Sequence, residues 1–202
     1  WDWVTFPEFL GALDGRRWTM DIATQVTHGP LRVWVMGDRA ITDEPPTAAE
    51  IAEMARLVGE AIDAGALGFS TSRTYAHRAP DGTLVPGTHA GPDELWPIAS
   101  ELAAHGPAVF EVSPLGVVGS DPEMVLDELE WMARLSSEFS ITVSMVLAQI
   151  PTNVGLYREV LDRALAARAD GARVVPQVSA KSQGLLLGLT TSHAFLRRPT
   201  FK

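Results

Sequence analysis

The sequence predicts an α/β fold built on a parallel sheet, and within that class part of a (β/α)8 TIM-type barrel. Three observations carry this. The hydrophobic period switches repeatedly between the strand and helix patterns along the 202 residues. The later strand–helix units recur at about 32 residues, the length of a βαβ step. Neither G-x-G-x-x-G nor G-x-x-x-x-G-K-[ST] occurs, so the phosphate turn of the dinucleotide and P-loop sheets is missing. Of the two architectures with this rhythm, the open doubly wound sheet and the closed barrel, the barrel is favoured.

The elements follow in order. A helix-like start at 7–14 leads to an extended stretch at 20–27. Thr47 and Glu50 form a T-x-x-E capping box, and Ile51, Met54, Val58, Ala61 and Ile62 line one helical face up to Gly65. A short buried strand follows at 66–70. Pro92, with Asp93 and Glu94 behind it, opens a helix running to about 105, where His105 complements the helix C-terminus. Strand-like 108–112 comes next, then Asp121-Pro122 starts a helix to about 138 with Val125, Leu129 and Met132 inward. A strand at 141–148 precedes a helix over 154–170, with Tyr157, Leu161, Ala164 and Leu165 on its apolar side. A fifth strand spans 173–178. About three barrel strands would lie outside this chain, and no domain boundary falls within 1–202.

Composition narrows the function classes. Sixteen Lys and Arg against 25 Asp and Glu leave a net charge of −9, which disfavours a nucleic-acid partner. Apolar residues make up 46% and charged residues 20%, ordinary for a globular core. No apolar run reaches the roughly 20 residues of a membrane helix. Cysteine is absent, which excludes disulfides and thiolate chemistry here and fits a reducing, cytoplasmic setting. The chain begins at Trp1 rather than Met and reads as an internal piece of a longer protein.

In either α/β architecture ligands bind at the C-terminal ends of the strands. The polar residues expected there are His28, Ser70 to Arg73, Glu111 and Ser113, Gln149, and Gln177, Ser179 and Lys181. Charges on helix faces, such as Glu53, Glu60, Glu128 and Glu130, read as solvated surface. The connection from Arg73 to Gly91 is long against the roughly 2–6 residues usual for a βα loop. It carries Tyr75, His77, Arg78, Asp81 and His89 and is expected to shape a substrate site. No H-x-H or H-E-x-x-H pair occurs, so the chain has no zinc signature of its own. The G-F-S-T-S at 68–72 lacks the second glycine of a nucleophile elbow.

The stretches W-D-W-V-T-F-P-E-F-L at 1–10, T-H-G-P-L-R-V-W-V-M-G at 27–37 and G-A-L-G-F-S-T-S-R-T-Y at 65–75 resemble N-acyl-D-amino-acid deacylases of the amidohydrolase superfamily. The similarity runs in order to about residue 150. It implies a metal-dependent hydrolase, usually zinc-containing, on a (β/α)8 barrel, acting on a small N-acyl amino acid. It also implies an H-x-H pair upstream of Trp1 and a catalytic aspartate downstream of Lys202, with no principal metal ligand in this chain. Tyr75 matches a tyrosine that helps hold the substrate carboxylate, and His28 matches the histidine of the family's G-H-x-x-L-R motif. Three departures stand out. The usual S-T-G-L reads S-T-S-R, which brings Arg73 toward the substrate carboxylate. The strand usually ending in S-H-x-K reads V-L-A-Q-I, with Leu147 and Gln149 near the histidine position. The strand often ending in H-x-R reads F-E-V-S-P, where Glu111 could serve as an oxygen ligand or base.

The resulting expectation is a hydrolase of non-peptide C–N amide bonds, for which this chain supplies the substrate-side wall. Arg73, Tyr75, His28, Ser70 and Lys181 would bind substrate, with Glu111 and Gln149 as catalytic candidates. A metal-free relative that binds a small carboxylate without hydrolysis is the alternative. A third reading makes Lys181 a Schiff-base amine, with the 184–189 G-L-L-L-G-L run as its apolar pocket. His193, in a post-strand segment, reads as a packed or solvated residue rather than a site residue.

Overall fold

The computed structural model describes residues 2–117, 121–150 and 152–182, with Gly184, Gly188, Phe195, Pro199 and Thr200 beyond them. Its elements alternate as α1 (Phe6–Asp14), β1 (Val26–Thr27), α2 (His28–Met36), α3 (Asp38–Ile41), α4 (Ala48–Asp63), β2 (Gly68–Ser72), α5 (Pro92–Ala104), β3 (Val109–Ser113), α6 (Met124–Phe139), β4 (Thr142–Val146), α7 (Leu156–Ala169) and β5 (Arg173–Gln177). The five strands form one parallel sheet in the order β1-β2-β3-β4-β5. A doubly wound sheet reverses its strand order at a switch point. Here each strand pairs with the next in sequence and no reversal occurs, which is barrel succession.

Burial alternates along β3, while β4 buries Val143, Ser144 and Met145 in succession. Phe69 and Thr71, Phe110 and Val112, and Val143 and Met145 are buried, while Ser70, Glu111 and Val175 are not. The buried set packs beneath the helices, against Met54 and Val58 of α4, Ile98 and Leu102 of α5, and Met132 and Leu135 of α6. Phe69 and Phe110, fully buried with ring centroids 5.2 Å apart, each contribute about 1.5–3 kcal/mol of apolar burial. The opposite face carries the in-register row Thr27, Ser70, Glu111, Ser144. No helix among the described residues is long and apolar enough to cross a membrane.

Local signals hold where capping chemistry is explicit. Thr5–Glu8 and Thr47–Glu50 both close reciprocal capping boxes at the starts of α1 and α4. Four expectations are corrected. The extended stretch at 20–27 pairs only at Val26–Thr27, because the chain turns at once into α2, which the strand reading of that region passed over. α6 begins at Met124, since Pro122 and Glu123 form the preceding turn. α7 buries Leu156, Val160 and Ala164 and turns Leu165 outward at 64% exposure. Both stripes have helical spacing, and packing against the sheet selects the first. Glu128, read as solvated, is 4% exposed because Arg73 neutralises it from the strand side.

Candidate functional site at the strand ends

Parallel strands deliver their C-terminal residues to one rim, and β2 and β3 end there in Ser72 and Ser113. One layer below lie Ser70 and Glu111, directly paired. Interior barrel layers are commonly filled by bulky branched side chains. Short hydroxyls at these positions leave open space above the sheet. The loop after β2 folds back over it, pinned by the antiparallel bridge between Arg78 and Leu84 and by Asp81 accepting from the Thr83 amide. Together they border an open cavity of about 580 Å³ whose polar lining includes Ser70, Ser72, His77, Arg78, Glu111 and Ser113. A second cavity of about 450 Å³ opens on the other side of Ser70 and Glu111, toward Gln25 and Thr27.

Within this site Ser72 Oγ and His77 Nδ1 lie 2.6 Å apart. Arg78 is tied to the loop backbone, Nε donating to the Tyr75 carbonyl at 3.1 Å and Nη1 to the Gly82 carbonyl at 2.7 Å. Its Nη2 makes no hydrogen bond among the described residues, and no carboxylate there neutralises it. Glu111 likewise has no hydrogen-bond or ion-pair partner among the described residues. Sequence reasoning singled out Glu111 and Ser70 from their strand ends. It named His77 and Arg78 only as loop members, because nothing in the local pattern says which loop residues turn inward.

A buried polar network backs the cavity, and its His28 and Thr71 also line it. His28 is 2% exposed, and its Nε2 donates to Glu94 Oε1 at 2.8 Å while its Nδ1 lies 2.8 Å from Thr71 Oγ1. Arg32 Nη1 donates to the same carboxylate, and Nη2 donates to the Glu44 carbonyl at 2.9 Å. Burial pushes the His28 pKa down against the opposing pull of its hydrogen bond to Glu94. For Glu94 burial alone would raise the pKa, but hydrogen bonds and charge from His28 and Arg32 outweigh it and the net direction is downward. An ionised Glu94 requires a proton on His28 Nε2, so the neutral ring accepts the Thr71 hydroxyl at Nδ1. With both nitrogens engaged, His28 braces the site rather than presenting a free base. Gly87 lets the loop lie against that ring. Its φ is +91°, and a Cβ there would stand 2.6 Å from His28 Nδ1.

The remaining candidates are scattered. Arg73 lies outside the cavity lining: its Nε donates to both Glu128 oxygens at 3.0 and 2.7 Å, Nη1 donates to the Ala90 carbonyl, and its guanidinium stacks over Trp131 at 5.6 Å. The carboxylate clamp expected of Arg73 therefore already holds an internal carboxylate. Tyr75 also lies outside the lining, half-exposed, with its ring edge-on to His89 at 5.9 Å between centroids, and His89 is bonded to Asp43 at 2.5 Å. Gln149 and Lys181 are exposed beyond β4 and β5. Leu147 is buried, its amide bonded to the Gln177 carbonyl at 2.7 Å. His193 and the leucines of the 184–189 run fall outside the described residues.

Zinc finds no ligand set here. No group of three His, Cys, Asp or Glu among the described residues could hold a metal ion. Glu111 is a single carboxylate, and His28 has neither nitrogen free. The described residues do not fit the metal that the family resemblance implies.

No protein-family model matches the chain. It is 32% identical over 167 residues to N-acyl-D-glutamate deacylase and 31% identical over 170 residues to D-aminoacylase, both of Alcaligenes xylosoxydans xylosoxydans. Each match covers 81% of this chain and 31% of the relative. A D-aminoacylase crystal structure that defines a novel subset of amidohydrolases superposes with a TM-score of 0.69 at 27% identity, covering 86% of this chain and 33% of that one. The chain belongs to the N-acyl-D-amino-acid deacylase family of the amidohydrolase superfamily. It spans about a third of the length of these deacylase relatives. The fold is shared more widely, since the L-hydantoinase of Arthrobacter aurescens superposes with a TM-score of 0.50 over 85% of this chain and 36% of that one, at 18% identity. In this member of the family, the site lies on the strand-end rim of five consecutive strands.

Proposed function

We propose that the protein carrying this chain hydrolyses the amide C–N bond of a small N-acyl amino acid, a D-residue by its kinship, and that this chain forms the substrate-side wall. The observation that supports it most directly is the polar cavity at the strand ends of a chain kin to deacylases, floored by Ser70 and Glu111 and roofed by the loop after β2. The resident residues would act by binding and orientation. Ser70, Ser72 and His77 supply hydrogen bonds at the floor and roof, and Glu111 accepts a proton or hydrogen bond from the amide side. The His28–Glu94–Arg32 network holds the wall, with the nearly buried His28 ring contributing to the cavity lining. Zinc, if the protein carries it, would take its ligands from outside the described residues, so no step is derived through it. The absence of cysteine supports a reducing, cytoplasmic setting.

The test is a turnover screen of the intact protein on N-acetyl-D- and N-acetyl-L-amino acids, with metal content measured by elemental analysis. Release of acetate from the D-series supports the proposal. Absence of turnover with any N-acyl amino acid, in metal-replete protein, would overturn it. Retained binding in that case would favour a non-hydrolysing carboxylate binder.

A further inference from the structure

We propose that Arg73 and Glu128 form a positioning clamp that closes the roof loop on itself, joining the loop's first residue to the Ala90 carbonyl at its far end and so setting where His77 stands at the strand-end cavity. The clamp is read from geometry; it rests on the proposed function for the choice of test ligand alone.

The loop leaves β2 at Arg73 and enters α5 at Pro92. Backbone bonds fix its start, since the Arg73 and Thr74 amides both donate to the Ser113 carbonyl at the end of β3, at 2.9 and 3.1 Å. A side chain holds its far end. Arg73 Nη1 donates to the carbonyl of Ala90, 17 positions on and 5% exposed. A guanidinium is a rigid fork, so fixing one edge aims the other. Glu128 on α6 fixes that edge by accepting from Nε with both oxygens, and the Trp131 ring lies 5.6 Å from the guanidinium carbon. The two side chains are 14% and 6% exposed, surroundings in which an unpaired carbonyl is costly.

From Ala90 the restraint passes back along the loop. The Ala90 amide donates to the Gly87 carbonyl at 3.1 Å, and Gly87 lies against the His28 ring. The Thr88 amide and hydroxyl both donate to the Val85 carbonyl, and the Val85 amide donates to the His77 carbonyl at 3.4 Å. Val85, Pro86 and His77 line the cavity, whereas Arg73 and Glu128 do not. The pair therefore acts through the loop, as positioning residues.

The test separates positioning from packing in the intact protein. Arg73→Met combined with Glu128→Leu supplies an apolar pair that can match a buried ion pair in stability, but it offers the Ala90 carbonyl no donor. Hydrogen exchange read by mass spectrometry should show peptides across 76–90 exchanging about tenfold faster than in the parent, as one unpaired buried carbonyl predicts. Peptides of α4 and the urea midpoint should stay close to the parent. Affinity for N-acetyl-D-leucine, by calorimetry, should fall about threefold as the binding-competent loop loses population. Parent-like exchange across 76–90 overturns the clamp, because the pair then serves packing alone. Equal acceleration of the loop and α4 overturns it as well, and faster loop exchange at unchanged affinity overturns its link to the cavity. If the double variant fails to fold, Arg73→Lys decides. Its compact ammonium keeps the charge beside Glu128 but lacks the second arm that reaches Ala90, so the loop alone should exchange faster, and parent-like exchange refutes the clamp. A parent protein that neither binds nor turns over N-acyl amino acids tells against deacylation, and loop exchange then decides the clamp by itself.

Discussion

Replacing Glu94 by glutamine probes the buried network behind the site most sharply. The carboxylate is 3% exposed and accepts hydrogen bonds from both His28 Nε2 and Arg32 Nη1. Glutamine keeps the shape but removes the charge, and its amide nitrogen must face one of two donors. In either orientation its one oxygen can still accept from Arg32 Nη1, but the guanidinium, 2% exposed, loses its countercharge, and its Nε has no partner even in the parent. Removing one partner of a buried pair costs about 3–5 kcal/mol. At about 1.4 kcal/mol per tenfold, that is a rise of some two to three powers of ten in local opening. Native-state hydrogen exchange of the Leu95, Ile98 and Leu102 amides in the intact protein reads it directly. The double replacement Arg32→Met with Glu94→Leu should recover more than half of the loss, because a well-packed apolar pair can match a buried ion pair. A loss below about 1 kcal/mol in Glu94→Gln would refute the reasoning, since losses that small are what solvated pairs give.

Four further outcomes follow from the same structure. Gly68→Ala should destabilise by about 3 kcal/mol or more, read as a lower urea midpoint, because its Cβ would fall 1.9 Å from the Val109 carbonyl oxygen between β2 and β3. Gly87→Ala should displace the His28 ring and the loop roof, visible as a shifted His28 imidazole resonance together with weakened ligand binding. Acid should weaken the fold through His28: its folded pKa lies below the unfolded value near 6.5, so its support is complete above about pH 6.5 and is lost as pH falls toward the lowered folded value. His28→Asn should flatten that part of the profile. His105 has the opposite sign. Hydrogen bonds that the ring donates to Asp63 and then Glu101 raise its pKa, so its support is present below about pH 6.5 and disappears as pH rises through the raised value, and His105→Gln should remove that alkaline slope.

Much of the fold was legible because each unit carries its own local instruction. The T-x-x-E box placed α4, Pro92 with Asp93 and Glu94 placed α5, and the apolar runs placed β3 to β5, all within a few residues. Family kinship was legible too, in three ordered motifs. The α7 face was not, because its Leu156 and Leu161 stripes satisfy helical spacing equally and only the sheet beneath chooses between them.

The candidate site shows the same division. By itself the sequence determined the parallel α/β succession, the strand ends where polar residues would gather, and the lone carboxylate Glu111 among them. Only the tertiary structure decided which charges are spent and which are free. Glu128 is 55 positions from Arg73 yet neutralises it, and Glu94 is 66 from His28 yet holds it. Charge pairing acts through distance in space, and a strand end and a helix face meet only when the sheet and its helix layer have packed. Arg78, five residues beyond Arg73, keeps its charge because the loop ties it to carbonyls that carry none.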